Sequence, residues 1–315
     1  MDPNLLYWKS HGQSFLSRLQ AWLNLLDPTS LFASDAEIQN ARTLLGSGDK
    51  LNEKDERALG LSLSAVHADS GAALPTIFRP PAFLPVSAPL VLGSLLPHRH
   101  VKPTLFFQLL MQSYSAGFNH ANRNSSSEQQ GKKASLKQLL LIAGAVSYTT
   151  CAGALPQIVI NRLHISSTPI QTFLRFILPV PLSAALAFFN VFVVRSEESE
   201  TGIRVFDSNG NPVGLSKAAG EKAVRETALS RAALFGTTTA VPNLLLFLSQ
   251  RRRLLQGHSL LLSPLWHMSA AFVLIVMIPV SFSLFPQLGT IKKENIEEEL
   301  QAAAESGQLY YHRGL

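Results

Sequence analysis

Few residue types in this chain could do chemistry, and they fall in places that limit what they can do. His67-Ala-Asp69-Ser70-Gly71 holds the side-chain types of a nucleophilic triad. Neighbours this close in sequence cannot converge as nucleophile, base and orienting acid, so the cluster reads as a turn with side chains capping backbone groups. His98-Arg99-His100 offers two imidazoles beside Pro97. With no companion Cys or carboxylate motif, they suit an interfacial loop better than a metal site. No GxSxG elbow, HExxH or GxxxxGK[ST] occurs, since Gly131-Lys132 has Ser126 where the first glycine is needed. The single Cys151 excludes an internal disulfide and CxxC chemistry. The formal charge of +6 is dispersed, with no basic stripe carrying interleaved aromatics, so no nucleic-acid footprint is present. The sequence asks for no enzyme constellation, no cofactor and no metal.

The informative polar groups are amides set in apolar surroundings. Gln112 and Ser115 share one helical face, as do Asn119 and Asn122 at i,i+3. Gln157 and Asn190 add amides near the ends of two other apolar runs. Such groups in a helical bundle either hold helices together, at about 1 kcal/mol each, or line a substrate path. Asn119, Asn122, Asn190 and Gln157 are therefore the substrate-path candidates.

The elements that must position them are membrane spans. Residues 176–194, FILPVPLSAALAFFNVFVV, run for nineteen residues without a charge before Arg195, Glu197, Glu198 and Glu200. At about 1.5 Å per residue this is roughly 28 Å, close to the hydrocarbon thickness of a bilayer. Only 15% of the chain is charged, against about 25% in soluble domains. The charges crowd into residues 1–60, 195–231 and 290–315. The other spans are 103–118, which is short, 139–160, 232–248 and 265–285. The expected fold is an all-α polytopic membrane protein of about five transmembrane helices, with a small β-hairpin plus helix insertion between spans three and four. The hairpin is read from Ile203, Val205, the Asn209-Gly210 turn, Val213 and Leu215.

Residues 1–100 form an N-terminal helical region. Within it, Phe15, Leu19, Trp22, Leu23 and Leu26 share one helical face. Residues 80–97 are uncharged but punctuated by five prolines, which predicts a broken segment embedded in or lying on the membrane. The bundle spans 103–285 with the polar insertion 195–231, and 286–315 is a charged tail read as helical over 294–305. Basic residues do not settle the orientation, and five spans put the two termini on opposite sides. Met1-Asp2-Pro3-Asn4 opens neither a secretory signal nor an Arg-rich transit peptide, so any targeting would be internal.

Several motifs in register resemble those of the sideroflexins, mitochondrial inner-membrane proteins. Asp27-Pro28 matches an Asp-Pro of the family, and His67-Ala-Asp69-Ser70-Gly71 answers its His-Pro-Asp-Thr-Gly box. Gln112-Ser113, Asn119 and Asn122-Arg123-Asn124 answer its Gln-Ser-Phe-Asn and Thr-Asn-Arg stretch. Asn190, Arg195, Glu198 and Gly202-Ile203, followed by Asp207, Gly210-Asn211, Gly214 and Ser216, answer a third segment, and Phe285-Pro286-Gln287 a fourth. The phrases PTIFRPPAFLPVSAP, GEKAVRETALSR and YYHRGL are similar to one branch of that family. Four departures stand out: Ala68 replaces a proline, Tyr114-Ser115 a Phe-Asn, Ala187 an asparagine, and Phe192 a proline.

The resemblance implies a multi-pass mitochondrial inner-membrane protein with its N-terminus in the matrix, its C-terminus in the intermembrane space and internal targeting. His67, Asp69, Arg123, Arg195 and Glu198 are its motif residues and read as structural. The family is associated with import of amino acids, serine among them, and with mitochondrial iron handling; the branch is associated with assembly of respiratory complex I and with iron–sulfur homeostasis. The implied partners are the lipid bilayer, a small neutral amino acid, and complex I subunits or assembly factors. If the family's amides line the serine path, Ser115 and Ala187 weaken the case for serine here. A non-transporting scaffold for complex I assembly is the alternative.

Overall fold

A computed structural model describes residues 3–12, 14–46, 53–96, 98, 100–124, 136–163, 167–251, 259–302 and 307–315. Four helices open the chain: α1 (Pro3–His11), α2 (Phe15–Leu25), α3 (Asp35–Gly46) and α4 (Glu53–Ala65). Ser34 and Glu37 start α3 as a reciprocal capping box, Oγ of Ser34 accepting from the Glu37 amide and Oε2 of Glu37 from the Ser34 amide. The buried face of α2 is Arg18, Ala21, Trp22 and Leu25, so of the expected apolar face only Trp22 is in the core, while Phe15 and Leu23 are exposed. The rotation has a physical cause. Arg18 reaches inward to donate from Nε to the Ser283 carbonyl at 2.8 Å.

The bundle comprises α5 (Phe83–Leu95), α6 (Val101–Ala121), α7 (Leu136–Arg162), α8 (Thr168–Thr172), α9 (Pro179–Val194), α11 (Lys217–Arg251) and α12 (Ser259–Ser283), with α10 (Ser196–Thr201) between α9 and the sheet. A π-helical turn, Phe173–Ile177, joins α8 to α9, so 168–194 is one continuous 27-residue helix. Among the described residues, four helices are long and apolar enough to cross a membrane: 136–162, 168–194, 217–248 and 264–283. The α6 helix is the fifth and more polar member, covering the expected span 103–118. Many large apolar side chains on these helices point outward, among them Leu139, Leu140, Leu155, Phe272 and Ile275, as a bilayer environment requires.

The proline-rich stretch is more regular than its prolines suggest. A 3-10 turn at Pro80–Ala82 leads into the 13-residue α5, which keeps Pro89 in its interior. At about 1.5 Å per residue, α5 is roughly 20 Å long, too short to span a bilayer alone. It nevertheless carries the chain from one end of the bundle to the other, and this overturns the expectation of termini at opposite ends. Trp22 meets Phe282, near the end of α12, at 5.2 Å between ring centroids, and Lys9 Nζ donates to the Ser208 carbonyl at 3.0 Å. The N-terminal helices and the C-terminal residues therefore share one end.

The insertion is also larger than a hairpin. β1 (Ile203–Phe206) and β2 (Pro212–Ser216) pair antiparallel, and the tail supplies β3 (Leu288–Lys292) and β4 (Gln308–His312), giving the order β2-β1-β4-β3. Tyr311 lies opposite Val205, and both are fully buried in a small core with Ile203, Ala223, Ile291 and Leu309. The expected tail helix over 294–305 is reduced to α13 (Glu298–Gln301), with residues 303–306 outside the described set. Between β2 and the membrane there is no separate helix, because α11 runs unbroken for 35 residues through the expected insertion helix and span four.

Candidate functional site

At the end of the bundle away from the sheet lies a part-open cavity of about 640 Å³. Its wall is built from α5, α6, α7, α9, α11 and α12, with Leu174, Arg175 and Phe176 of the π-helical turn at its rim. The polar groups facing it are hydroxyls and amides (Ser94, Gln108, Gln112, Ser115, Ser183, Thr239, Asn243), plus His98 and His267. Among the described residues lining it, Arg175 is the one formal charge, and no carboxylate is present. A site of this size fits a small molecule, and amides and hydroxyls both donate and accept.

The substrate-path candidates are placed unequally. Gln157 lines the cavity, but its amide is committed: Nε2 donates to the Leu96 and His98 carbonyls at 3.2 and 3.1 Å. Asn161, unmarked in the sequence, donates to the same His98 carbonyl at 2.8 Å. Together they satisfy carbonyls of the turn that follows α5. Asn190 is fully buried behind the wall, its Nδ2 within 3.3 Å of Gln112 Oε1, so it orients a lining residue. Asn119 is just as buried, one turn beyond Ser115. Asn122 lies at the sheet end and donates to the Phe78 and Phe118 carbonyls at 2.9 Å each. Two residues marked in the sequence for their lost amides, Ser115 and Ala187, both face the cavity.

The motif residues gather at the sheet end, where they form a polar knot. Arg195 and Glu198 make a bidentate ion pair with side chains 0% and 2% exposed; Nη2 lies 2.7 Å from Oε2, and Nε completes the fork on Oε1. Asn124 donates to Glu198 Oε2 at 2.9 Å, and Arg195 reaches Thr227 Oγ1 at 3.0 Å and the Arg313 carbonyl at 2.7 Å. Arg123 pairs with Glu197 at 2.9 Å, and burial lowers its pKa, partly offset by Glu197 and Glu198. His67 Nε2 lies 2.5 Å from the Arg123 carbonyl, and its Nδ1 accepts from the Ser70 amide, with Asp69 in the turn between. Arg313 is brought to about 10 by burial, with Glu226 opposing that and Arg195 adding to it. Gly314 has φ +72, and a Cβ there would stand 2.8 Å from Arg195 Nη2.

The sequence places one basic residue, Arg231, at the flank of the 232–248 span, where a position at the membrane interface is expected, and the structure buries it. Arg231 is 2% exposed, and its guanidinium sits 4.4 Å from the ring centre of Phe282, 5.3 Å from Phe83 and 5.6 Å from Phe118. Its Nε and Nη2 have no hydrogen-bond partner. Only position four residues before Phe235 on the buried face of α11 could have hinted at it.

A bundle of long apolar helices with a solute-sized polar cavity at one end and a polar knot at the other belongs to the class of multi-pass membrane proteins. The chain is a member of the sideroflexin family, whose model, described as Sideroflexins, matches residues 5–315. It is 54% identical over 318 residues to Sideroflexin-4 of Danio rerio, covering all of both chains. It is 35% identical to Sideroflexin-4 of Homo sapiens, covering 100% of this chain and 93% of that one, and 31% identical to human Sideroflexin-5, covering 96% and 90%. No solved structure matches the chain.

Proposed function

We propose that the chain is a sideroflexin-type carrier of small neutral amino acids in the mitochondrial inner membrane, with serine disfavoured as cargo. The observation that carries this is the cavity. Its roughly 640 Å³ suits a compact solute, and its hydroxyl and amide lining suits a zwitterion whose two charges need both donors and acceptors. Ser115 and Ala187 in its wall supply one hydroxyl and one methyl where the family resemblance leads one to expect amides, which argues against serine specifically. On this reading 103–285 together with α5 is the transport bundle, and the helices before α5 gather with the 286–315 tail at its sheet end. Family membership supports the mitochondrial placement with the N-terminus in the matrix, and the contacts between the two ends of the chain then bring the C-terminal residues to that side as well.

The test is ligand stabilisation. Detergent-purified protein is melted with each small neutral amino acid in turn at high concentration. A binder at 100 times its Kd adds about 2.7 kcal/mol, a shift of several degrees. Stabilisation by at least one of them, lost in Ala187→Trp, supports the reading, whereas a flat response to all of them counts against it. A second reading, a scaffold for respiratory complex I assembly that also bears on mitochondrial iron homeostasis, draws support from the four-stranded sheet, whose outer strands β2 and β3 have no further strand paired to them among the described residues. Normal complex I levels in cells lacking the protein argue against it.

A further inference from the structure

Along α6 the buried polar residues are Thr104, Gln108, Gln112, Ser115, Asn119 and, just past its last turn, Asn122. Their spacing of three and four keeps them on one face over the whole helix. The large cavity takes up Gln108, Gln112 and Ser115, and a cleft of about 40 Å³ at the sheet end takes up Asn122 beside His67, Arg123 and Asn124. Ser115 and Asn122 are seven residues apart, roughly 10 Å along the axis. Only Asn119 stands between them on this face, and neither cavity reaches it.

Asn119 does not behave as helix glue. Its Nδ2 donates to the Ser115 carbonyl of its own helix at 2.8 Å, and its Oδ1, buried, accepts nothing. Across from α6, Asn190 Oδ1 is likewise buried without a partner, as is Gln108 Oε1 higher on the stripe. A buried acceptor left unpaired costs about 1–3 kcal/mol, and three along one path ask for a partner that comes and goes.

We propose that the polar face of α6 is one continuous solute route, open at the cavity end in this conformation and closed over the constricted stretch from Asn190, beside Gln112, to Asn119, with the cleft at Asn122 as its far mouth. The proposal rests on the transport reading above and specifies where that route runs. In the closed state the two amide oxygens wait unpaired; in transit they accept from the ammonium of a small zwitterion, and their NH₂ groups donate to its carboxylate.

Sided thiol accessibility tests it without knowledge of the cargo. In a Cys151→Ser background, single cysteines are placed at Ser115, Asn119, Asn190 and Ala68, the last lining the cleft, and at Leu109 on the outward face of α6. The chain is held in sealed vesicles and exposed to a membrane-impermeant quaternary-ammonium methanethiosulfonate from either side. Ser115→Cys should react from the cavity side and Ala68→Cys from the sheet side. Asn119→Cys and Asn190→Cys should react from both sides, at least tenfold faster than Leu109→Cys. If both constriction cysteines react no faster than Leu109→Cys, or from one side only, the route is wrong. Having two positions on different helices keeps the test valid if one variant fails to fold. Amino-acid uptake with unreactive constriction cysteines overturns this route but not transport; reactive cysteines without uptake overturn the cargo class but not the route.

Discussion

Arg195 and Glu198 close a buried ion pair between the end of α9 and the first turn of α10, and Glu198 Oε2 also holds the Asn124 side chain at 2.9 Å. Through the Arg313 carbonyl and Thr227, the same guanidinium ties the tail and α11 to α9. The pair thus links the bundle to the sheet.

Breaking one side of it should be severe. Glu198→Gln leaves the Arg195 charge buried and uncompensated, at an expected cost of about 3–5 kcal/mol. Arg195→Met combined with Glu198→Met should recover part of that loss. Thermal unfolding in detergent of the two single variants and the double variant checks this; a double variant worse than either single variant contradicts it.

Glu297 predicts a pH dependence. Burial pushes its carboxyl up, but hydrogen bonds from the Ala218 amide, Ser216 and the Lys217 amide outweigh that and leave its pKa lowered. Its Oε1 receives the Lys217 and Ala218 amides at 2.7 and 3.0 Å, capping the start of α11 from the tail. A depressed carboxylate contributes stability above its unfolded pKa and loses it as pH falls through the folded value. Glu297→Gln should therefore cost about 1 kcal/mol at neutral pH and shrink towards nothing under acid. Melting curves taken from about pH 7 down to about pH 3 decide it.

The aromatic cage around Arg231 separates shape from charge. Lys in its place would put a compact, strongly hydrated ammonium where a flat guanidinium lies over three rings, losing about 1–2 kcal/mol. Met fills the same space without a charge to desolvate. Arg231→Met should melt at or above the temperature of Arg231→Lys, and the reverse order contradicts the packing described.

Selectivity should follow the cavity wall. Restoring amides with Ser115→Asn and Ala187→Asn adds donors and acceptors to a site that has one hydroxyl and one methyl there. Serine flux through the double variant should exceed that of the parent by about tenfold, the worth of roughly 1.4 kcal/mol of added recognition. Competition against labelled serine measures it, and unchanged flux would contradict the assignment.

Much of the fold was legible because lipid imposes a strong pattern: uncharged runs of membrane length, and a hairpin marked by Asn209-Gly210, where φ of Gly210 is +81. The strands of the tail were not. The alternation in β4, with Leu309 and Tyr311 buried, is five residues long and follows a Glu-rich stretch whose composition reads as helix. The hydrogen bonds of Gln157 and Asn161 to the turn after α5 depend on carbonyls some sixty residues away, which no local pattern reveals. The path of α5 was hidden by its prolines, and with it the shared end of the termini. The polar face of α6 was half visible in Gln112, Ser115, Asn119 and Asn122; Thr104 and Gln108 complete it by the same spacing.

The most direct measurement is uptake. The purified chain, reconstituted into liposomes, is offered labelled small neutral amino acids one at a time, with Ala187→Trp as the filled-cavity control. Saturable entry of at least one of them, absent in the control, is the predicted result. Entry of none above protein-free liposomes would contradict the account.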